Sequence, residues 1–216
     1  MTEPPLEDIL PPFPDKPAAE AEPDLAALIG SRICHDLTNP LGAIGNGMEL
    51  LELSGQAASP EMALIGQAVA NARARVQFLR VAFGAAGAGH RMGGAELATL
   101  VADHAKGGRV AIHWPGGTDM PRPDARLGFL LLMCLEAALP FGGQITVTRP
   151  GESWHMVAAA PRIRDLGPLW AGLTGTTPLP EIGPAQVQFA LAPRAAARLG
   201  RTLTLTPGEG VLTLTA

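Results

Sequence analysis

Two runs of regularly spaced apolar residues fill the chain between residues 24 and 83. The first run consists of Ile33, Leu37, Leu41, Ile44, Met48 and Leu51, and the second of Ile65, Val69, Ala72, Val76, Leu79 and Phe83. Steps of three and four residues are typical of the buried stripe of an amphipathic α-helix. The pattern predicts one helix from an N-cap at Asp24 to about Ser54 and a second from Pro60 to about Phe83, with both stripes in a core.

These two helices form a hairpin that is too small to enclose a core by itself. Gly55 and Pro60 predict the turn between them. Pro40 predicts a kink in the first helix, because its ring nitrogen cannot donate a hydrogen bond to the Asp36 carbonyl. Four helices enclose a core where two do not, so the hairpin predicts a homodimer with a four-helix bundle. A monomer whose hairpin packs on the C-terminal part is the alternative.

The C-terminal half alternates between helical and strand patterns after a Gly- and Ala-rich linker at residues 84–94. The predicted helices cover residues 95–105, 125–139 and part of 184–199, and the predicted strands cover 110–114, 144–149, 154–159, 202–206 and 210–215. The last two strands form a hairpin that turns at Pro207 and Gly208. This order predicts an α/β sandwich with helices on one face of a mixed sheet.

Composition adds a tail and sets limits on the class of protein. Residues 1–23 hold seven prolines, six acids and one lysine, which predicts a disordered acidic tail. No apolar run approaches the roughly 18 residues of a membrane span, so we expect a soluble, cytoplasmic protein without membrane contact. No basic stripe or aromatic platform predicts nucleic-acid binding. Cys34 and Cys134 occupy apolar helical positions and are expected to be reduced and buried.

His35 is the residue of the first helix that carries candidate chemistry. It lies two residues from both Ile33 and Leu37, and is therefore rotated by about 200° from each around the helix axis. We expect it to face away from the apolar stripe, toward solvent. Its face also holds Ser31, Asn39, Gly42, Asn46 and Glu49. An exposed imidazole among small and polar side chains indicates a surface that meets a partner.

The sequence around His35 resembles that of a known family. HDLTNP at residues 35–40 resembles the H-box of sensor histidine kinases. With SRIC at 31–34 and GAIGNG at 42–47, the segment is similar to that of ChpT-type histidine phosphotransferases, the middle carriers of bacterial phosphorelays. The resemblance covers about residues 24–216, and beyond residue 86 it rests on element order and a few glycines.

The resemblance also implies the nature of the C-terminal half. Its element order is similar to that of the Bergerat-fold ATP-binding domain of histidine kinases. Leu132 and Glu136 stand where kinases have asparagines for magnesium and nucleotide. AAAPR at 158–162 and APRAA at 192–196 stand where the adenine-reading and lid motifs belong, and no Walker A sequence replaces them. The resemblance implies a degenerate domain without ATP-dependent autokinase activity.

The expected fold class is therefore α plus α/β. It comprises a disordered tail at 1–23, a helical hairpin at 24–86 that forms a dimeric four-helix bundle and carries the phosphotransfer site, and a degenerate Bergerat-type α/β sandwich at 87–216.

The function that the resemblance implies is that of a phosphoprotein transferase. His35 would accept a phosphoryl group from an aspartate in the receiver domain of a hybrid histidine kinase, and pass it to receiver domains of response regulators. Free imidazole, which titrates near pH 6.5, suits such a carrier because it is nucleophilic near neutral pH. The protein would need no cofactor or metal of its own, because the receiver's acidic pocket supplies the magnesium.

The resemblance assigns roles to neighbours of His35, and each has an alternative. Asp36 either accepts a hydrogen bond from the second ring nitrogen or is a solvated surface acid. Asn39 either orients water and polarises the approach, or stabilises the chain before Pro40. Arg32 either screens the phosphoryl charge or forms a salt bridge at the rim. The residues expected to bind the partner are Ser31, Arg32, Thr38, Gly42, Asn46 and Glu49.

The glycines beyond His35 also admit two interpretations. Gly42, Gly45 and Gly47 each cost about 1 kcal/mol in a helix relative to alanine. Either they let a receiver helix approach closely, or they serve close packing inside the bundle, which suits Gly45 best.

Two other functions remain open from the sequence. One is an active histidine kinase core that uses ATP, and the other is a dimeric scaffold that inhibits a two-component system. Under the phosphotransferase interpretation, the apolar segment around Leu166, Leu169 and Trp170 is expected to be exposed and to add receiver-binding surface.

Overall fold

The computed structural model describes residues 25–55, 59–85 and 89–216, and for residues 25–29, 31, 32, 36 and 52 it describes the backbone alone. The predicted tail and the N-cap at Asp24 lie outside the described residues. None of the helices in these ranges combines the length and the apolarity that a bilayer crossing requires.

The hairpin predicted from the apolar spacing is present. Helix α1 runs over Leu25–Leu53 with Pro40 inside it, and α2 runs over Pro60–Phe83. The side chain of Ser59 caps α2 by accepting a hydrogen bond of 3.2 Å from the Met62 N–H, and Pro60 occupies the first turn, where its missing N–H costs nothing. The sequence predicted both helix boundaries to within one residue, and the kink at Pro40 stays a prediction.

A five-stranded sheet forms the C-terminal part. Its strands are β2 (Val110–His113), β4 (Gly143–Thr148), β5 (His155–Ala159), β6 (Thr204–Gly208) and β7 (Val211–Thr215), in the spatial order β2-β4-β5-β7-β6. Only β2 and β4 pair in parallel, while the other neighbours are antiparallel. The mixed sheet is as predicted.

Helices cover one face of this sheet. They are α3 (Gly94–Ala105), α4 (Arg122–Ala137), α5 (Pro168–Leu173) and α6 (Val187–Arg198), the last preceded by a short 3-10 helix at Pro184–Gln186. Alternate residues of β4, including Ile145 and Val147, are buried while their neighbours are exposed, which is the signature of a sheet covered on one side. Gly128 of α4 allows close approach to the sheet, since a Cβ there would lie 2.7 Å from the Trp154 ring.

Several details of this half differ from the predictions. The sequence missed α5 and a small antiparallel pair, β1 (Arg91–Met92) with β3 (Met120–Pro121), because these elements are too short for a periodic signal. The terminal hairpin does not turn at Pro207 and Gly208. Gly208 pairs with Val211, so the turn consists of Glu209 and Gly210, and Gly210 adopts a positive φ of 64°, which favours glycine at this position.

One continuous hydrophobic core joins the end of α2 to the C-terminal part. Phe78, Val81 and Ala82 belong to the same buried cluster as Phe129 and Trp154. The Phe78 ring stacks on that of Phe129 at 4.6 Å between centroids. Burial of each such large side chain stabilises the fold by about 1.5–3 kcal/mol. The hairpin is thus fixed to the C-terminal part through α2, while α1 contacts mainly α2.

Candidate functional site

His35 lies on the exposed surface of α1, as the sequence predicted. Its chain neighbour Cys34 points instead toward α2 and is 6% exposed. Burial raises the pKa of the Cys34 thiol, and the positive charge of Arg80 offsets part of that rise. A thiol that is buried and protonated is a packing group, so His35 remains the candidate nucleophile at this position.

Contacts between α1 and α2 define which side of α1 is internal. A Cβ added at Gly30 would lie 3.0 Å from the Phe83 carbonyl oxygen, and one added at Gly66 would lie 3.3 Å from the Met48 Cε. Met48 and Cys34 are both buried on this side. Each residue of an α-helix is rotated by about 100° from the one before it, so His35 lies about 110° around α1 from the centre of this internal side.

Within this single chain the predicted apolar stripe is only partly buried. Met48 is buried and Leu41 half-buried, but four other members of the stripe are 37–54% exposed, namely Ile33, Leu37, Ile44 and Leu51. With Ile65 of α2, which is 47% exposed, they form what we call the apolar strip. The strip lies about 75° from the internal side of α1, in the direction opposite to His35. The cause is that α1 packs on α2 through Gly30, Cys34 and Met48, so the other large aliphatic side chains of the stripe lie beside this contact.

Three predicted partner-binding residues, Gly42, Asn46 and Glu49, lie beside His35, as does Asn39, which was predicted to act in the chemistry. Asn39, Asn46 and Glu49 are exposed and Gly42 is half-buried. Their spacing puts them within about 40° of His35 around the helix, and we call these five residues the His35 face. Ser31, Arg32 and Asp36 lie on α1 by their backbone, but their side chains lie outside the described residues.

Thr38 sits at the edge of this face with its hydroxyl already engaged. Its Oγ1 donates a hydrogen bond of 2.7 Å to the Cys34 carbonyl oxygen within the same helix. This bond fixes the hydroxyl against the helix backbone two residues before Pro40, and the Thr38 side chain as a whole remains exposed.

Sequence reasoning missed the contribution of α2 to this face. Arg73 and Gln77 join Thr38 and Gly42 around a small cavity of about 70 Å³. A second groove of about 430 Å³ continues along the hairpin, where Arg73 meets Gly45 and Glu49. The signal in the sequence was the spacing of Val69, Arg73 and Val76, which puts an arginine at an α1-facing position of an otherwise apolar series.

The three glycines beyond His35 differ in what surrounds them. A Cβ at Gly42 or Gly47 would meet nothing within 4 Å, whereas one at Gly45 would lie 3.2 Å from Nη1 of Arg73. Packing inside this chain therefore accounts for Gly45, the glycine to which the sequence assigned that role. It does not account for Gly42 and Gly47, and of these two Gly42 lies on the His35 face.

The positions where a kinase would hold nucleotide serve internal packing. Leu132 is fully buried in the core. Glu136 lies 3.1 Å from Nε2 of His104, whose ring stacks on Phe78 of α2 at 3.8 Å between centroids. Residues 192–196, where a lid would lie, form part of helix α6.

A buried charge cluster lies at the start of α4. Asp124 is 6% exposed, and its Oδ1 accepts hydrogen bonds from Nη2 of Arg149, at 2.8 Å, and from Nη2 of Arg201. Arg149 also stacks over the Trp154 ring at 5.1 Å from the ring centroid. The cluster ties α4 to the end of β4 and to the segment that precedes β6.

The predicted exposed surface around Trp170 is wrong. Leu169 and Trp170 are 8% and 7% exposed, because they lie on α5, which packs against α6. The Trp170 ring contacts Phe189 edge-on at 5.3 Å between centroids. Leu166 is half-buried against the same core. A helix of six residues is too short to show a helical period, so the pattern alone predicts loop surface here.

The fold combines a helical hairpin with a mixed α/β part, and comparison with known proteins gives the family. The model of the histidine phosphotransferase C-terminal domain matches residues 94–210, more than half of the chain. The protein phosphotransferase ChpT of Brucella abortus (strain 2308) is 40% identical over 131 residues, which are 60% of this chain. That match spans 62% of the length of the curated relative.

A solved structure agrees over nearly the full length. The crystal structure titled as that of a bacterial phosphotransferase is similar with a TM-score of 0.66 at 26% identity, over 92% of this chain and 98% of that one. The chain belongs to the family of proteins with the histidine phosphotransferase C-terminal domain. The family predicted from the segment around His35 is thereby confirmed from the other half of the chain.

Proposed function

We propose that this protein is a histidine phosphotransferase that relays phosphoryl groups between receiver-domain aspartates in a bacterial phosphorelay, with His35 as the carrier. The observation that carries the proposal is the exposed His35 within an H-box sequence, on the side of α1 opposite to the apolar strip. The family and the relative named a protein phosphotransferase support the reaction class.

The chemistry asks little of this chain beyond presentation of the imidazole. A ring nitrogen of His35 attacks the phosphorus of a phospho-aspartate, a P–N bond forms, and the P–O bond breaks with its electron pair leaving on the carboxylate. The same steps in reverse pass the group to a second receiver. Because the transition state is loose and its charge dispersed, positioning dominates the catalysis. The receiver supplies the magnesium, and Asp36 and Asn39 tune or polarise the site.

The protein acts as a homodimer whose hairpins pack into a four-helix bundle. The apolar strip supports this arrangement, since it holds four aliphatic side chains of α1 that are 37–54% exposed. Both helices contribute to it, and it lies on the opposite side of α1 from the His35 face. A second hairpin over the strip would bury these side chains while both copies of His35 stay open to receivers.

The C-terminal part is a degenerate Bergerat-type domain that does not use ATP. Buried Leu132 and the pairing of Glu136 with His104 support this, because both positions that would hold magnesium and nucleotide are committed to internal contacts. In this protein the domain fixes α2 through Phe78, and so holds the hairpin in place.

The test is transfer of radiolabelled phosphate in parallel from γ-labelled ATP and from a panel of phosphorylated receiver domains, with His35→Ala as the control. Label that arrives from a receiver alone, and only when His35 is present, is the expected result. Label that arrives directly from ATP would make the protein a kinase. No label by either route would leave a dimeric scaffold as the better function.

A further inference from the structure

Three grooves on the hairpin meet at one side chain. The small cavity beside Thr38 and Gly42 and the groove beside Gly45 and Glu49 are both lined by Arg73. A third groove of about 480 Å³ leads from Arg73 between α2 and α3 toward Asp103 and Lys106. Arg73 therefore stands where the His35 face, the lower hairpin and the C-terminal part come together.

The charge of Arg73 is available to a partner. Of the two cations that line these grooves, Lys106 is paired with Asp103 at 2.6 Å. Among the described residues, no hydrogen bond or ion pair engages the guanidinium of Arg73, which is exposed. By contrast, the arginines at the charge cluster of α4 are committed to Asp124.

The local packing holds the guanidinium at the groove surface. Its Nη1 lies over Gly45, where a Cβ would come within 3.2 Å, so the glycine makes the space that the arginine uses. The open space above Gly42 continues the same surface toward His35. An arginine that packs along a helix while its charge faces a groove presents a planar fork that matches a carboxylate with two parallel hydrogen bonds.

We propose that Arg73 is a specificity-determining residue for the receiver domain, and that it binds a carboxylate side chain on the receiver helix that lies along these grooves. The inference rests on the proposed function and deepens it. Arg73 acts in docking and takes no part in the chemical step, because it lies opposite Gly45, about ten residues or roughly 15 Å along α1 from His35.

The experiment compares Arg73→Glu with Arg75→Glu, a matched charge reversal two residues away on the opposite side of α2. The donor is the phosphorylated receiver domain that labels the native protein in the function test. A second donor, phosphoramidate, labels histidine without a receiver. We expect Arg73→Glu to lower kcat/KM for transfer from the receiver at least tenfold through KM, and to weaken its dependence on ionic strength. Arg75→Glu should stay within twofold, and phosphoramidate should label all three proteins equally.

Four other results would contradict the docking role of Arg73 or the proposed function. Equal losses in the two variants, or a loss confined to kcat, would overturn the role of Arg73 in docking. Weaker labelling of Arg73→Glu by phosphoramidate would overturn it as well, since the change would then act on His35 or on the fold. Native protein that takes phosphate from phosphoramidate but from no receiver would overturn the proposed function itself, and that result appears in the native arm alone.

Discussion

The helical hairpin and the C-terminal part of this chain differ in how far they bury their large apolar side chains. In the C-terminal part Trp154 and Phe129 are fully buried, and even a carboxylate, Asp124, is enclosed with two arginines. In the hairpin Ile33 and Ile44 are 54% and 48% exposed. One region buries its large apolar side chains within the chain, whereas the other leaves several of them exposed.

This difference accounts for how one chain combines a fixed scaffold with an interaction site. In the C-terminal part Leu132 is buried and Glu136 pairs with His104, and the core contacts α2 through Phe78. The hairpin gains a rigid base and leaves two surfaces for partners, the apolar strip and the His35 face. Four experiments test this division, from the largest expected effect to the smallest.

The buried charge cluster is where the C-terminal part should be most sensitive. Asp124→Ala leaves Arg149 and Arg201 buried without their acid, and should lower the free energy of unfolding by about 3–5 kcal/mol. Asp103→Ala removes the exposed partner of Lys106 and should cost less than about 1 kcal/mol. Urea unfolding monitored by tryptophan fluorescence measures both. Equal effects would show that the Asp124 cluster is not the internal tie described above.

A charge introduced into the apolar strip should weaken dimerisation more than it weakens folding. Ile44→Glu puts a charge into the proposed dimer interface and should raise the dimer Kd at least a hundredfold, or about 2.7 kcal/mol. Leu50→Glu, on a different side of α1 and already 67% exposed, is the matched control and should leave the Kd unchanged. Sedimentation equilibrium gives both values. A native protein that is monomeric at every concentration would rule out the bundle.

Substitutions of Gly42 and Gly47 should have the same effect on the stability of α1 but different effects on phosphoryl transfer. Gly42→Ala and Gly47→Ala add a methyl group where nothing lies within 4 Å, so each should stabilise α1 by about 1 kcal/mol. Only Gly42 lies on the His35 face, and only its variant should slow transfer from a receiver, by severalfold. Thermal unfolding and transfer rates measured on the same samples give the comparison. Unchanged transfer in Gly42→Ala would mean that receivers do not approach over this glycine.

The smallest expected difference between the two regions is in the alkylation rates of their cysteines, Cys34 and Cys134. Burial raises the pKa of both Cys34 and Cys134, and more so for Cys134, which is fully enclosed. At pH 8 both thiols should react with iodoacetamide more slowly than a free cysteine, and the rate for Cys34 should keep rising as the pH passes 9. Cys134 should react only on unfolding. Peptide mass spectrometry after timed labelling distinguishes the two, and faster labelling of Cys134 would contradict the burial described here.

Local signals explain what could be predicted from the sequence. Apolar steps of three and four with Ser59 and Pro60 set the hairpin boundaries, and the position of His35 between Ile33 and Leu37 predicted its exposure. Those signals depend on neighbours along the chain, which the sequence displays directly.

What could not be predicted depends on contacts between distant residues. The apolar spacing predicts that Ile44 faces a core, but it does not show whether α2 or a second chain covers that side chain. In the structure α2 contacts α1 at Gly30 and Gly45, and Ile44 stays exposed. The place of Arg73 over Gly45 requires the pairing register of the two helices. Burial of Trp170 follows from the docking of α5 on α6, which six residues cannot reveal by period.

The central claim is that phosphate travels through His35, and the most direct test is to locate the covalent bond. Native protein and His35→Gln would be incubated with a phosphorylated receiver domain and analysed by peptide mass spectrometry under alkaline conditions that preserve phosphohistidine. The account predicts acid-labile phosphate on His35 in the native protein and none in the variant. Phosphate on another residue, or label retained in His35→Gln, would contradict it.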